Sequence, residues 1–142
     1  MRLGGLEARG SNMICAVATP EGKILEQITI PTRGPQETTA DIIAYFADKE
    51  IDAIGVASFG PVDLRKGSPT YGYILDTPKE AWQRFDLLGT LKRALHVPAG
   101  LDTDMNGACL GELTFGAAKG LDSVLYVSIG TGIGAGIAVD GH

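Results

Sequence analysis

The chain has 142 residues, enough for one domain that buries roughly 70% of the surface its unfolded form exposes. Hydrophobic residues make up 44% and charged residues 20%, and the net charge of −5 excludes a nucleic-acid surface, because no Lys/Arg cluster can neutralise several phosphates. No apolar run reaches bilayer length and no charged-then-apolar signal segment opens the chain, so a soluble, cytoplasmic protein with no membrane partner is expected.

Residues 3–8 and 13–19 read as strands separated by Arg9-Gly10-Ser11-Asn12. A second turn, Pro20-Glu21-Gly22-Lys23, leads to a third strand over 24–30 with Ile24, Glu26, Ile28 and Ile30 on one side. This antiparallel meander ends at Pro31. Pro35 opens a helix to about residue 49, whose apolar face is Ile42, Ile43, Phe46 and Ala47. Residues 51–58 form a near-continuous apolar run, the mark of a strand buried on both faces of a parallel arrangement, and it ends in Phe59-Gly60-Pro61-Val62-Asp63. Residues 64–79 show little periodicity, and a loop of that length inside a compact domain is functional or mobile. A short helix follows over 87–95, then a strand tail at 99–101, then a helix from Thr103 that Gly120 closes. A hairpin of 124–128 and 135–139 turns about Gly130-Thr131-Gly132-Ile133-Gly134. A meander feeding parallel α/β units predicts a mixed sheet flanked by helices, the ribonuclease H-like, actin-like ATPase lobe. Ligands of such sheets collect at the carboxyl ends of the parallel strands, which puts Gly60 and Pro61 on one edge with Asp104 and Asn106.

Three stretches carry chemistry. Thr103 is the expected N-cap, with Asp104 and Asn106 in the first helical turn, where the helix dipole favours an ionised carboxylate. There the amide can orient a hydroxylic substrate and the acid can take its proton; the plainer alternative is that Asp104 caps the helix and Asn106 bonds local backbone. In the run 128–136 the glycines alternate, so successive N–H groups can approach an anion, with Thr131 adding a hydroxyl; alternatively the glycines only turn the chain or let other backbone pack closely. At the first hairpin Ser11 can donate to phosphate and Glu7 can hold hydrated Mg²⁺, unless Gly10 merely supplies a positive φ to a turn. Cys15 and Cys109 lie in apolar contexts without metal-ligand spacing and read as reduced core residues.

On four stretches the chain resembles the amino-terminal half of a ROK-family sugar kinase, in its fructokinase branch. The family's opening G-G-I-E-A-G-G-T-K is matched by Gly4-Gly5-Leu6-Glu7-Ala8-Arg9-Gly10-Ser11-Asn12, and its G-S-P-T-Y-G-Y-I stands intact at 67–74. Its D-T-D-V-N-G-A is matched at 102–108 and its S-I-G-T-G-I-G-G-G at 128–136, so the motifs span essentially the whole chain in order. The resemblance implies ATP-dependent phosphorylation of a hexose, fructose to fructose 6-phosphate, with Mg²⁺ at Glu7. Asp104 falls on the catalytic base and Asn106 on a sugar-contacting amide, with Gly60, Pro61 and Thr77 at the sugar. Gly10, Ser11, Gly130, Thr131 and Gly132 fall on the two phosphate-binding turns. The loop after Gly67 would shape the sugar pocket, Tyr71 and Tyr73 packing either on sugar C–H faces or on the core.

The chain departs from that pattern where Arg9, Ser11 and Asn12 replace Gly, Thr and Lys. Arg9 brings either a strained φ or a compensating charge to the phosphates. Residues 1–120 are expected to form the amino-terminal lobe and 121–142 the first hairpin of a second lobe. The resemblance places the structural zinc site beyond His142, so no zinc is expected here, and His96 reads as a surface residue at a helix end. Two strands alone are marginal in water, so the hairpin is expected to join the sheet, expose an edge or make a homodimer. The chain alone is expected to be weakly active or inactive; the alternative is a non-catalytic sugar-binding or self-associating module. A repressor role is disfavoured, because the family's repressors carry an amino-terminal DNA-binding domain whereas strand one begins close to Met1.

Overall fold

Strands β1 (Leu3–Ala8), β2 (Asn12–Ala18) and β3 (Ile24–Pro31) form the antiparallel meander in a computed structural model that describes residues 1–130 and 132–142. Helix α1 (Pro35–Phe46), β4 (Ala53–Ser58), the two-residue strands β5 (Tyr73–Ile74) and β6 (Phe85–Asp86), and α2 (Leu87–Leu95) follow. The chain continues through β7 (Ala99–Thr103), α3 (Asp104–Phe115) and the hairpin β8 (Val124–Ile129) and β9 (Ile133–Ala138). The main sheet is mixed, in the order β3-β2-β1-β4-β7, with β4 parallel to both β1 and β7. The hairpin forms a separate two-stranded sheet and does not join the main one.

One face of the main sheet carries the core. Leu6, Ala8, Met13, Cys15, Val17, Ile54, Val56 and Leu101 meet Ile42 and Phe46 of α1 and Leu87, Leu88 and Leu91 of α2. Each large apolar side chain fully buried there contributes about 1.5–3 kcal/mol relative to exposure. The buried side of α1 runs Pro35, Thr38, Thr39, Ile42, Phe46, a three-and-four spacing that uses two threonines. Their hydroxyls are satisfied: Thr39 Oγ1 donates to Pro35 O at 2.6 Å, and Thr38 Oγ1 accepts from Arg33 N at 2.9 Å. The helix stops three residues short of the expected 49, leaving Ala47 exposed, and Glu50 turns the chain with φ 52°.

The opposite face differs from the expectation for 51–58. Only Ile54, Val56 and Ser58 of β4 are buried, while Gly55 is exposed. Helix α3 covers this face over β4 and β7 and leaves a trough of 500 Å³ along Gly5, Ala16, Gly55 and Gly100. Strand β3 is an edge, so of its expected inward side only Ile30 is buried, whereas Ile24 and Ile28 are 59% and 38% exposed. The loop expected over 64–79 is structured: β5 pairs with β6, and a single 3₁₀ turn at Glu80–Trp82 buries the indole. Asp63 organises its start, accepting from Arg65 N, Nε and Nη2 at 3.0 Å and from the Ser68 and Thr70 hydroxyls at 2.7 Å.

Helix α2 keeps its expected bounds because both ends are capped locally. Asp86 Oδ1 accepts from Gly89 N at 2.9 Å, and exposed His96 closes the helix in the left-handed region. Helix α3 ends at Phe115 rather than at Gly120, since Gly116 caps it and residues 117–120 form a turn. Cys15 and Cys109 are both free and buried, and burial pushes the Cys15 thiol up to about 12. Among the described residues, no helix is long and apolar enough to cross a membrane.

Candidate active site

Three parallel strands end level with one another. Ala8 of β1 pairs with Ser58 of β4, and Ser58 with Thr103 of β7. What leaves those strands therefore shares one edge: the turn with Gly10 and Ser11, the Phe59-Gly60-Pro61 segment, and the amino terminus of α3 with Asp104 and Asn106. The expectation that Gly60-Pro61 and the Asp104-Asn106 pair lie on a common edge is met by this register.

At the third strand end the polar groups are locked. Thr103 Oγ1 accepts from Asn106 N at 3.1 Å, the N-cap bond its position predicts. Asp102 Oδ1 accepts from Thr103 N at 2.7 Å and from Asn106 Nδ2 at 2.8 Å. The Asn106 amide nitrogen is thus held, and its carbonyl oxygen remains an acceptor without a partner among the described residues. Asp104 Oδ1 accepts from Met105 N at 2.9 Å, which fixes the carboxylate while its other oxygen bonds nothing described. Asp102 is the orienting residue that sequence reasoning left out; its signal is the four-residue spacing to Asn106 across the strand–helix junction.

Asp104 borders two hollows. One of 360 Å³ is lined by Asp104, Met105, Ser128, Gly130, Gly132, Ile133 and Gly134, and one of 250 Å³ by Glu7, Ala57, Asp104, Gly107 and Ala108. Asp104 therefore shares one hollow with the second glycine turn and the other with Glu7. Thr131 lies outside the described residues. The glycines of the hairpin divide by role: a Cβ on Gly130 or Gly132 meets nothing within 4 Å, whereas one on Gly136 runs into the Met105 backbone. Two of the alternating glycines therefore leave the turn open, and Gly136 lets β9 lie against α3.

The first turn is bonded inward through its carbonyls. Arg9 O accepts from Thr32 Oγ1 at 2.9 Å, Ser11 O from Thr32 N at 3.2 Å, and Asn12 O from Arg9 N at 3.0 Å. Neither Arg9 nor Gly10 takes a positive φ, which corrects both the strain considered for Arg9 and the positive-φ reason for Gly10. Arg9 Nε instead donates to Glu7 Oε1 at 2.9 Å. Gly10 and Ser11 border neither hollow of Asp104. Gly60 and Pro61, joined by a cis peptide bond, border neither of them as well. Thr77 is buried, its carbonyl accepting from Gln83 Nε2 at 2.9 Å, and it also lines neither hollow. Tyr71 packs against the core, whereas Tyr73 borders a separate hollow with Thr70, Leu75, Asp76 and Arg84.

Glu7 and Asp104 on one hollow supply hard oxygen donors, the set that suits Mg²⁺ held by one or two carboxylates together with substrate phosphates. The donor chemistry fits the ion, with one Glu7 oxygen engaged by Arg9. Among the described residues, no group of three or more His, Cys, Asp or Glu side chains gathers into a metal cage.

A family model described as the ROK family matches residues 3–142. The chain is 42% identical over 142 residues to the fructokinase of Pediococcus pentosaceus, covering 100% of this chain and 49% of that protein. It is 51% identical over 140 residues to a Bacillus subtilis (strain 168) protein that carries a provisional fructokinase name, covering 99% of this chain and 47% of that one. Among solved structures it is similar to a ROK family glucokinase from Streptomyces griseus in complex with glucose and AMPPNP. The TM-score is 0.86 at 26% identity, covering 100% of this chain and 46% of that chain. The mixed sheet and its flanking helices are those of the actin-like ATPase fold, to which such sugar kinases belong, as the element order leads one to expect. The chain spans about half the length of the curated relatives it matches.

Proposed function

Since the chain belongs to the ROK family, we propose that it is the amino-terminal lobe of an ATP-dependent hexose kinase that phosphorylates fructose to fructose 6-phosphate. The observation that carries this reading is Asp104, one carboxylate at a helix amino terminus bordering both the glycine turn and Glu7. The choice of fructose is supported by the fructokinase relatives. Residues 121–142 then form the first hairpin of a second lobe, in keeping with their separate sheet.

Phosphoryl transfer needs a positioned hydroxyl, a group to receive its proton, and donors for the charge that develops on phosphate. In the proposed step the 6-hydroxyl oxygen of fructose bonds to the γ-phosphorus of ATP and the bond from that phosphorus to the β–γ bridging oxygen breaks. ADP leaves, and the hydroxyl proton passes to Asp104. Asn106, steadied by Asp102, offers its carbonyl oxygen to a sugar hydroxyl, with Gly60, Pro61 and Thr77 assigned to the sugar side. The amides of Gly10, Ser11 and Gly132 receive the phosphates; Gly130, whose N–H donates to Gly132 O at 2.9 Å, and Thr131 belong to the same turn. Glu7 would hold Mg²⁺, which would supply charge neutralisation for the phosphates.

Titration calorimetry of the chain with fructose and with Mg-ATP tests the assignment, and binding of both is expected. A second reading, a sugar-binding module without catalysis, is favoured by the Arg9–Glu7 ion pair that occupies a carboxylate oxygen beside the phosphate turn. Fructose binding without any nucleotide binding would select it. For the base, Asp104→Ala is expected to lower turnover by roughly 10²–10⁴-fold. The measurement is fructose-dependent ADP release by the chain complemented with the second half of the Pediococcus pentosaceus fructokinase. Near-normal turnover removes Asp104 from the reaction.

A further inference from the structure

We propose that Lys79 is a phosphate-binding residue of the first turn, its ammonium supplying the point charge that Asn12 does not. The inference rests on the reading of Gly10 and Ser11 as a nucleotide-phosphate turn and adds a residue from a distant part of the chain.

The side chain of Lys79 lies across Gly10. A Cβ built on Gly10 would stand 2.5 Å from Lys79 Cε and 3.1 Å from Lys79 Nζ, so the residue is glycine at a point where a lysine crosses the backbone. Lys79 is exposed, and no ion pair engages its ammonium among the described residues. The neighbouring cation, Arg9, is already paired with Glu7 at 2.9 Å. Lys79 is thus the cation at this turn that remains available to an incoming anion.

The turn beside it also holds donors without partners. The carbonyls of Arg9, Ser11 and Asn12 are all bonded within the protein, while the N–H groups of Gly10 and Ser11 and the Ser11 hydroxyl have no partner among the described residues. Backbone N–H groups, a hydroxyl and an ammonium on one turn form a donor set for phosphate oxygens. Such a set takes a polyphosphate chain, whose oxygens are acceptors only.

The placement is held from both sides by one short stretch of backbone. Thr32 bonds the turn through Ser11 O and Arg9 O. Its neighbour Arg33 accepts from Trp82 Nε1 at 3.0 Å, and Trp82 N donates to Lys79 O at 2.8 Å. Trp82 is buried, so the segment that projects Lys79 and the turn it crosses are tied to the same frame.

The test is calorimetric titration of the chain with Mg-ATP, with inorganic tripolyphosphate and with fructose, for the parent, Lys79→Met, Lys79→Arg and Gly10→Ala. Lys79→Met is expected to weaken both polyphosphates by roughly 10- to 100-fold, the loss of one charge-assisted hydrogen bond, and to leave fructose affinity and the melting temperature unchanged. Lys79→Arg is expected to retain most of the affinity, and Gly10→Ala to weaken it by pushing the ammonium aside. If Lys79→Met binds tripolyphosphate as tightly as the parent does, the role of Lys79 is overturned and the turn keeps its assignment. If the parent binds neither Mg-ATP nor tripolyphosphate, the phosphate-turn reading fails and Lys79 falls with it.

Discussion

Asp63 is a buried carboxylate that keeps its charge through its neighbours. The Arg65 guanidinium, then the Ser68 and Thr70 hydroxyls, hold its carboxyl well below the usual carboxylate range. Its folded-state pKa lies below its unfolded value of about 3.9, so its contribution to stability is fully present above that value and is lost as pH falls toward the folded one. Comparing melting temperatures of the parent and Asp63→Asn from pH 7 down to pH 3 is expected to show a constant gap to about pH 5 and a narrowing gap below. A gap that widens on acidification would exclude this role. The consequence for the site is positional: Asp63 N donates to Tyr73 O at 3.0 Å and Gly72 N to Asp63 O at 2.9 Å, so one residue ties the start of the loop assigned to the sugar to its middle. At the same scale, Asp104 and Asn106 were legible because an N-cap and its first turn are contacts between near neighbours. The orienting bond from Asp102 used the same few residues and was equally within reach. Lys79 was not, since nothing near it in sequence points to Gly10.

Among the elements, the β8–β9 hairpin depends most on one packing distance. Its inner face, with Gly134 and Gly136, lies on the first turn of α3; its outer face, with Leu125, Val127, Ile129, Ile133 and Ile137, is exposed. A methyl at Gly134 meets only the Met105 side chain, at 2.9 Å and beyond, and that flexible chain can move. A methyl at Gly136 meets the Met105 carbonyl and the Asn106 amide, which are helix backbone. Gly136→Ala is therefore expected to cost about 1–3 kcal/mol as overpacking, and Gly134→Ala about 1 kcal/mol or less. Urea unfolding compares the two, and hydrogen exchange of the β9 amides shows whether the hairpin lifts from α3. Equal costs would place the strain elsewhere. The glycine alternation was visible in sequence, but its division between an open turn and a helix contact needed α3 in place. The end of α3 was misjudged for a related reason: both Gly116 and Gly120 are plausible stops, and the cap chosen depends on the Gly116 N to Glu112 O bond.

For the whole molecule, the balance between covered and bare surface sets its behaviour. The main sheet buries one face under α1 and α2, and the hairpin leaves Leu125 63%, Ile129 78% and Ile137 64% exposed. A two-stranded sheet with free edges and an apolar outer face is expected to self-associate. Light scattering after size exclusion is expected to show a mass that rises with concentration. Leu125→Lys with Ile137→Lys, directly paired across the hairpin, is expected to return the monomer. A clean parent monomer at all concentrations would remove the homodimer from consideration.

Strand alternation, the caps of α2, the N-cap at Thr103 and the four motifs in order were settled by residues within a few positions of one another, and local geometry is what a linear pattern records. The level ends of β1, β4 and β7 followed from their parallel pairing once the strands were known. Which sheet face stays bare, how Asp104 comes to border both Glu7 and the glycine turn, and why Gly10 lies under Lys79 depend on how helices and loops cross the sheet. Those contacts join residues tens of positions apart, and packing in three dimensions chose them.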